Sequence, residues 1–150
     1  MIRLKVGEKA PDFKAQDQNG KTLSLKDFKG KKVILFFYPE DDTPVCTAEA
    51  CDFRDNFSLL QQKGYSIVGV SPQGVDSHKS FVTKYKLPFT LLADEEMKII
   101  KAYGIWDLKK LYGREYMGIQ RATFVIDEKG LIEKIIPRVL SKKSTQQVLK

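Results

Sequence analysis

The sequence predicts a single α/β domain in which parallel strands are covered on both faces by helices. Residues 32–38 and 65–71 are short, apolar and rich in branched and aromatic side chains, which is typical of strands buried on both faces. A helix-length segment, residues 43–63, lies between them and is closed by Gly64. Because strand, helix and strand in this order form a crossover, the two strands are expected to be parallel neighbours in one sheet.

Two β-hairpins are predicted, one towards each end of the chain. The first has Asn19-Gly20 in its turn, which is the strongest short-range hairpin signal. The second closes at a turn that ends in Gly130. The paired segments are residues 13–16 with 22–25, and residues 122–126 with 131–136.

The remaining elements are predicted from caps and stop signals. Pro88 follows the end of a helix, and Ser141 is expected to cap a last helix. Residues 105–119 carry no decisive signal, so their structure stays open at this point. The predicted elements are a helix at residues 75–86, a strand at residues 89–92 and a helix at residues 94–103.

Length and composition indicate one ordinary folded domain, residues 1–150. The chain is 42% hydrophobic and 30% charged, which excludes disordered and fibrous proteins. The longest apolar run, residues 33–38, is far below the roughly 18 to 20 residues that a membrane-spanning helix needs. Because no apolar stretch follows the charged start, no secretory signal is expected, and we predict a cytoplasmic protein with no membrane partner.

The net charge of +7 raises the question of a nucleic-acid partner. Residues 1–34 and 129–150 each carry a net charge of +5, whereas residues 35–128 carry −3. No basic helix and no stripe of interleaved aromatic residues accompanies this surplus, so a solvated surface is predicted in preference to a specific nucleic-acid interface.

The two cysteines are the most informative residues. In a cytoplasmic protein, a cysteine pair is more often catalytic or redox-sensing than structural. If Thr43 is the N-cap and Pro44 the first helical residue, Cys46 lies at the third helical position, among backbone N–H groups without a helical acceptor. The helix dipole favours a thiolate at this position.

A helix terminus alone does not ionise a thiol fully at neutral pH. That requires roughly 3.4 kcal/mol of differential stabilisation, whereas a helix terminus supplies at most about 2 kcal/mol. A cation about 4 Å away adds roughly 4 kcal/mol at an effective dielectric constant of about 20. Arg121 is the predicted cation, because it begins the otherwise apolar strand at residues 122–126.

Helical geometry separates the two sulfur atoms. Cys46 belongs to the apolar stripe expected to face the sheet, and Cys51 lies off that stripe. Five helical residues place two Cα atoms about 8 to 9 Å apart, whereas a disulfide needs about 4.4 to 6.8 Å. Oxidation to a Cys46–Cys51 disulfide is therefore expected to unwind the first turns of the helix. The stripe consists of Cys46, Ala50, Phe53, Phe57 and Leu60.

These residues resemble a known family. The pattern Pro39-x-x-x-Thr43-x-x-Cys46 is similar to the peroxidatic signature of the peroxiredoxins. A second cysteine five positions later, Cys51, resembles the bacterioferritin comigratory protein, or PrxQ, branch. The resemblance covers nearly the whole chain and continues through residues 9–13, 51–55 and 121–127.

The resemblance implies a thioredoxin-like fold: a central mixed sheet flanked by helices, with an N-terminal β-hairpin extension. It implies that Cys46 is the peroxidatic nucleophile and Cys51 the resolving thiol. It also implies that Thr43 and Arg121 orient the thiolate and the peroxide oxygens, while Pro39 shields the sulfur. Val45 departs from the family, which often has glycine there.

The implied reaction reduces hydrogen peroxide or organic hydroperoxides through a sulfenic acid and an intrachain Cys46–Cys51 disulfide. Thioredoxin or a similar dithiol would reduce that disulfide, and no metal or organic cofactor is implied. Since both thiols belong to one chain, a monomer is expected, with a weak dimer left open. The preferred peroxide and the reductant also stay open.

Other functions and roles are weighed against this hypothesis. A thioredoxin-like disulfide reductase would require a C-x-x-C pair, and a non-enzymatic binding module or holdase is indicated only by the basic ends. Cys46 as an inert core residue is a further alternative. Side chains with open roles are Glu49 and Arg54 (solvated charges or support for the site), His78 (surface or cap in preference to a zinc site with the two cysteines), and Trp106, Tyr112 and Tyr116 (packing beneath a loop in preference to a hydroperoxide-binding or dimer surface).

Overall fold

The computed structural model describes residues 2–150. In this part of the chain the helices are α1 (Pro44–Asp55), α2 (Phe57–Gln62), α3 (Val75–Tyr85), α4 (Lys98–Ala102) and α5 (Ser144–Leu149). The strands are β1 (Lys14–Gln16), β2 (Thr22–Ser24), β3 (Lys32–Phe37), β4 (Tyr65–Ser71), β5 (Thr90–Ala93), β6 (Trp106–Leu111), β7 (Arg114–Ile119), β8 (Ala122–Ile126) and β9 (Ile132–Ile136). No helix among these residues is long and apolar enough to cross a membrane.

Seven strands form one mixed sheet in the order β2-β1-β5-β4-β3-β8-β9. Strand β3 lies parallel to β4 and antiparallel to β8, which confirms the predicted crossover and the α/β fold class. The N-terminal hairpin is also confirmed, and it extends the edge of this sheet through a single pairing of Gln16 with Ala93. The C-terminal hairpin pairs β8 with β9.

The side chains of β3 alternate between two cores, one on each face of the sheet. Leu35 and Phe37 belong to the core that also contains Tyr103 and Phe124. Ile34, Phe36 and Tyr38, which directly follows β3, belong to the core under α1. The predicted apolar stripe runs from α1 into α2 and faces this second core. Phe57 is partly buried there, and the other members are buried: Cys46, Ala50, Phe53 and Leu60.

The single helix predicted at residues 43–63 is wrong, because the helix is interrupted at Asn56. The side-chain amide and the backbone N–H of Asn56 both donate hydrogen bonds to the carbonyl oxygen of Asp52, at 2.8 and 3.2 Å. A side chain that takes up a helical acceptor competes with the regular ladder, so the chain starts a new helix at Phe57.

Two other predicted helix starts are wrong. The helix predicted at residues 94–103 begins only at Lys98, because the Asp94 carboxylate accepts hydrogen bonds from the backbone N–H groups of Ile99 and Ile100 across an intervening turn. Ser141 lies in a short 3₁₀ turn rather than at the cap of α5.

The segment at residues 105–119, left open above, contains a separate β-hairpin of β6 and β7. Its two turn residues, Tyr112 and Gly113, both have a positive φ, of 51° and 76°. A tight hairpin turn requires this conformation, but tyrosine is not a typical residue for it, which explains the absence of a sequence signal.

Candidate active site

The strand register places the predicted catalytic residues at one edge of the sheet. Phe37, the last residue of β3, pairs with Ala122, the first residue of β8. Arg121 therefore lies at the same edge as the loop that leads from β3 into α1 and Cys46. This edge is formed by the carboxyl ends of the parallel strands, where α/β folds bind ligands.

Cys46 is the third residue of α1, as predicted. Helix α1 begins at Pro44, and Thr43 has the extended backbone of an N-cap. The Cys46 side chain is buried, with only 1% of the residue exposed. A thiolate in this first turn lies among unpaired backbone N–H groups at the positive end of the helix dipole.

The Arg121 guanidinium joins two acidic groups of α1. Its Nη2 donates a 3.2 Å hydrogen bond to Cys46 Sγ, and its Nη1 donates a 3.1 Å hydrogen bond to Glu49 Oε1. Burial lowers the pKa of Arg121, but the neighbouring Cys46 and Glu49 raise it by more, so the net shift is upward. The guanidinium is therefore a permanent positive charge beside the sulfur.

Glu49 is part of this site, although the sequence left its role open. Its side chain is completely buried, and Oε2 has no hydrogen-bond partner among the described residues. Burial raises the pKa of Glu49 to about 7, although the Arg121 charge lowers it. A sequence signal exists, because Glu49 follows Cys46 by three residues and so shares its helical face.

Removing the Glu49 charge should change how stability depends on pH. The pKa of this carboxyl is about 7 in the folded protein against 4.5 for an ordinary glutamate, so folding binds a proton between these values. The contribution of this protonated carboxyl to the free energy of unfolding is therefore fully present below pH 4.5 and is lost as the pH rises through 7. Between pH 5 and 8, the wild type should lose on the order of 2 to 3 kcal/mol relative to Glu49→Gln.

Urea unfolding of both proteins at several pH values measures this difference. The exposed carboxamide variant Glu115→Gln is the control, since Glu115 lies on the surface of the separate hairpin. Parallel stability curves for wild type and Glu49→Gln would contradict the prediction.

Thr43 and Pro39 belong to the segment that leads from β3 into α1. The Thr43 hydroxyl donates a 3.0 Å hydrogen bond to the carbonyl oxygen of Glu40, within the loop, and makes no capping bond to α1. Pro39 is partly buried at the start of the same loop. Val45 is 51% exposed beside Cys46.

Cys51 lies off the buried stripe, as predicted, and is partly buried. Both cysteines are free thiols within the unbroken helix α1. Burial raises the pKa of Cys51, which nearby Arg54 partly offsets. Arg54 is more than a solvated charge, because it also donates a 2.9 Å hydrogen bond to the carbonyl oxygen of Tyr85 in α3.

The prediction for His78 is wrong. His78 was expected at the surface or in a cap, but it is completely buried and hydrogen-bonded to Asp41.

Of the three aromatic residues with open roles, only Trp106 packs against the core. Tyr112 is 97% exposed at the tip of the hairpin, and Tyr116 is also exposed. Among residues 2–150, no three potential ligands are grouped so that they could hold a metal ion.

A scan against protein-family models matches residues 6–135 to the AhpC/TSA family. Among curated relatives, peroxiredoxin Bcp of Bacillus subtilis is 47% identical over 133 residues, which cover 89% of this chain and 85% of that protein. These matches do not favour a disulfide reductase or a binding module.

Solved structures of peroxiredoxins share the fold of this chain. A PrxQ variant from Xylella fastidiosa is 25% identical with a TM-score of 0.92, over 99% of this chain and 95% of that chain. A bacterioferritin comigratory protein from Xanthomonas campestris, studied for alkyl peroxide reduction, is 27% identical with a TM-score of 0.88, over 99% and 95%. The thioredoxin-like fold is thereby confirmed. The chain belongs to the AhpC/TSA family and is a thiol-dependent peroxidase of the bacterioferritin comigratory protein, or PrxQ, type of peroxiredoxin.

Proposed function

We propose that this peroxiredoxin reduces hydrogen peroxide and organic hydroperoxides with Cys46 as the nucleophile. The observation that carries the proposal is the 3.2 Å contact between Arg121 Nη2 and Cys46 Sγ at the start of α1. A cation and a helix N-terminus directed at one sulfur favour its reactive thiolate form. The Xanthomonas campestris relative, studied for alkyl peroxide reduction, supports organic hydroperoxides as a substrate class.

In the first step, the Cys46 thiolate attacks one oxygen of the peroxide. The S–O bond forms as the O–O bond breaks, and the leaving oxygen takes up a proton to become water or an alcohol. Arg121 is assigned to stabilise the negative charge that moves from sulfur to oxygen. Thr43 is assigned to orient the peroxide, and Pro39 to shield the sulfur from bulk water.

In the second step, the Cys51 thiol attacks the sulfur of the Cys46 sulfenic acid. A disulfide forms and one water molecule leaves. Helix α1 holds both cysteines in regular geometry, which separates their Cα atoms by more than a disulfide permits. The first turns of α1 therefore unwind in this step.

Circular dichroism tests the unwinding. One equivalent of hydrogen peroxide should reduce the helical signal of the wild type, because a disulfide replaces several helical hydrogen bonds, and dithiothreitol should restore it. Cys51→Ser should keep its helical signal, since it forms no intrachain disulfide. An oxidised wild type with an undiminished helical signal would refute the unwinding.

A dithiol protein such as thioredoxin completes the cycle by thiol–disulfide exchange. We assign the enzyme to the cytoplasm, where reductants of this kind keep thiols reduced. The chain supplies both cysteines, so a monomer is sufficient for the whole cycle. No metal or organic cofactor takes part in this chemistry.

Stopped-flow mixing with substoichiometric hydrogen peroxide tests the function directly. Trp106 is the only tryptophan and provides the fluorescence signal. The wild type should show fast oxidation of one thiol, followed by disulfide formation. Cys46→Ser should show neither phase; reaction of this variant at the wild-type rate would disprove the role of Cys46.

A further inference from the structure

A buried polar cluster lies at the active-site edge of the sheet and is not used in the chemistry above. The Asp41 carboxylate, in the loop between β3 and α1, accepts three hydrogen bonds. Tyr38 Oη donates to it at 2.6 Å, Ser77 Oγ at 2.7 Å and His78 Nδ1 at 2.7 Å. The Asp41 and His78 side chains are only 4% and 0% exposed.

Both ring nitrogens of His78 lie within hydrogen-bond distance of an oxygen atom. Nδ1 faces the Asp41 carboxylate, and Nε2 lies 2.9 Å from the carbonyl oxygen of Leu92 in β5. Both ring nitrogens thus face acceptors, and only the doubly protonated imidazolium donates to both. Burial raises the pKa of Asp41, but the hydrogen bonds from His78, Ser77 and Tyr38 lower it by more, as expected for a carboxylate in an ion pair.

The next loop residue, Asp42, contacts the C-terminal end of α3, the helix that also carries Ser77 and His78. The Asp42 carboxylate accepts hydrogen bonds from Lys84 and from the Tyr85 hydroxyl, at 2.7 and 2.6 Å. Asp42 also has a φ of 59°, a backbone conformation that non-glycine residues rarely adopt. Helix α3 therefore holds two consecutive residues of the loop that joins Pro39 to Thr43 and Cys46.

We propose that His78 and Asp41 are positioning residues whose buried ion pair holds the loop at residues 39–43 closed over Cys46. The proposal rests on the proposed function, because it concerns the fate of the Cys46 sulfenic acid. The loop must move when the first turns of α1 unwind. The strength of the ion pair therefore sets how readily the enzyme opens after oxidation.

Opening decides between two fates of the sulfenic acid. In the open form, Cys51 attacks the sulfenic sulfur, a disulfide forms and water leaves. In the closed form, a second peroxide transfers one oxygen to the sulfur, which becomes a sulfinic acid while the peroxide is reduced to water or an alcohol. A weaker ion pair between Asp41 and His78 should therefore favour the disulfide.

Ser77→Ala and His78→Gln test this effect. Ser77→Ala removes one hydrogen bond to Asp41, and His78→Gln removes the positive charge while keeping an amide donor. Disulfide formation should accelerate roughly three- to tenfold in Ser77→Ala and roughly tenfold or more in His78→Gln. The fraction of sulfinic acid at high peroxide, measured by mass spectrometry, should fall accordingly.

Two controls separate positioning from general destabilisation. Ser80→Ala makes the same substitution on the exposed side of α3, and Ile132→Val weakens the core in a distant strand. Both should keep the wild-type fraction of sulfinic acid. If Ser77→Ala and His78→Gln give the same fraction as these controls, the proposal is overturned; should His78→Gln not fold, Ser77→Ala decides alone.

The charge state of His78 has its own readout, independent of peroxidase activity. His78 is the only histidine, so its imidazole signals in a ¹⁵N nuclear magnetic resonance spectrum are unambiguous. Both ring nitrogens should carry a proton, and a ring protonated on only one nitrogen would overturn the ion pair. If the wild type instead shows no oxidation of Cys46 by peroxide, the proposed function fails, whatever the state of this ring.

Discussion

Replacement of Arg121 by alanine should slow the first reaction of Cys46 with hydrogen peroxide by roughly 100- to 1,000-fold, the usual cost of losing one preorganised charge stabiliser. The guanidinium donates directly to the sulfur at 3.2 Å. Its loss removes the positive charge beside the sulfur and, in the proposed mechanism, the donor that stabilises the departing oxygen. Stopped-flow fluorescence measures the rate of this phase.

The same substitution should make Cys46 less reactive towards alkylating agents. Alkylation by iodoacetamide reports the thiolate directly, since only the thiolate reacts appreciably. At a fixed pH, the rate of alkylation should fall in Arg121→Ala and fall less in Arg121→Lys. Lysine retains the charge but not the fork that contacts both Cys46 and Glu49.

Two further variants control this experiment. Arg114→Ala removes an exposed arginine from the separate hairpin and should leave the peroxide reaction unchanged. Arg121→Ala alone leaves the buried Glu49 carboxyl without its positive partner. The double variant Arg121→Ala/Glu49→Gln removes this carboxyl as well, so a slow peroxide reaction in the double variant is due to the loss of Arg121 itself. An Arg121→Ala enzyme that attacks peroxide at the wild-type rate would remove Arg121 from the mechanism.

Replacement of Cys51 by serine should reduce thioredoxin-driven turnover by roughly 100-fold or more while leaving the first oxidation of Cys46 unchanged, since thiol–disulfide exchange needs the second sulfur. Cys51 lies off the buried face of α1, and the sulfur of Cys46 is hydrogen-bonded to Arg121 instead. The sulfenic acid in this variant should persist and then proceed to sulfinic acid in excess peroxide.

The measurements are peroxide consumption with a thioredoxin system and the mass of the oxidised protein. Ser58→Ala, at an exposed position further along the same flank in α2, is the control and should turn over normally. Undiminished turnover of Cys51→Ser would show that another thiol or the reductant itself resolves the sulfenic acid.

Local patterns were sufficient for most of the sheet and for the environment of Cys46. The apolar runs of β3 and β4, the Asn19-Gly20 turn and the Thr43-Pro44 helix start are short-range signals, because each depends on the conformation of neighbouring residues. The apolar stripe of α1 and α2 likewise follows from helical periodicity and correctly separates Cys46 from Cys51.

Local signals failed where a side chain took over a backbone interaction. The Asn56 amide occupies a helical acceptor and divides the predicted helix, and the Asp94 carboxylate replaces the first turn of another. Asparagine and aspartate are compatible with helices, turns and caps. Their identity alone therefore does not reveal which backbone group they contact.

The electrostatic partners of the site depend on contacts between residues far apart in the chain. Arg121 could be proposed as a cation from its unusual position, but its 3.2 Å contact with Cys46 joins residues 75 positions apart. The burial of Glu49 and the pairing of Asp41 with His78 required the folded sheet and α3. Sequence periodicity specifies which face of an element is buried, whereas the charge of a buried group depends on what the rest of the fold brings against it.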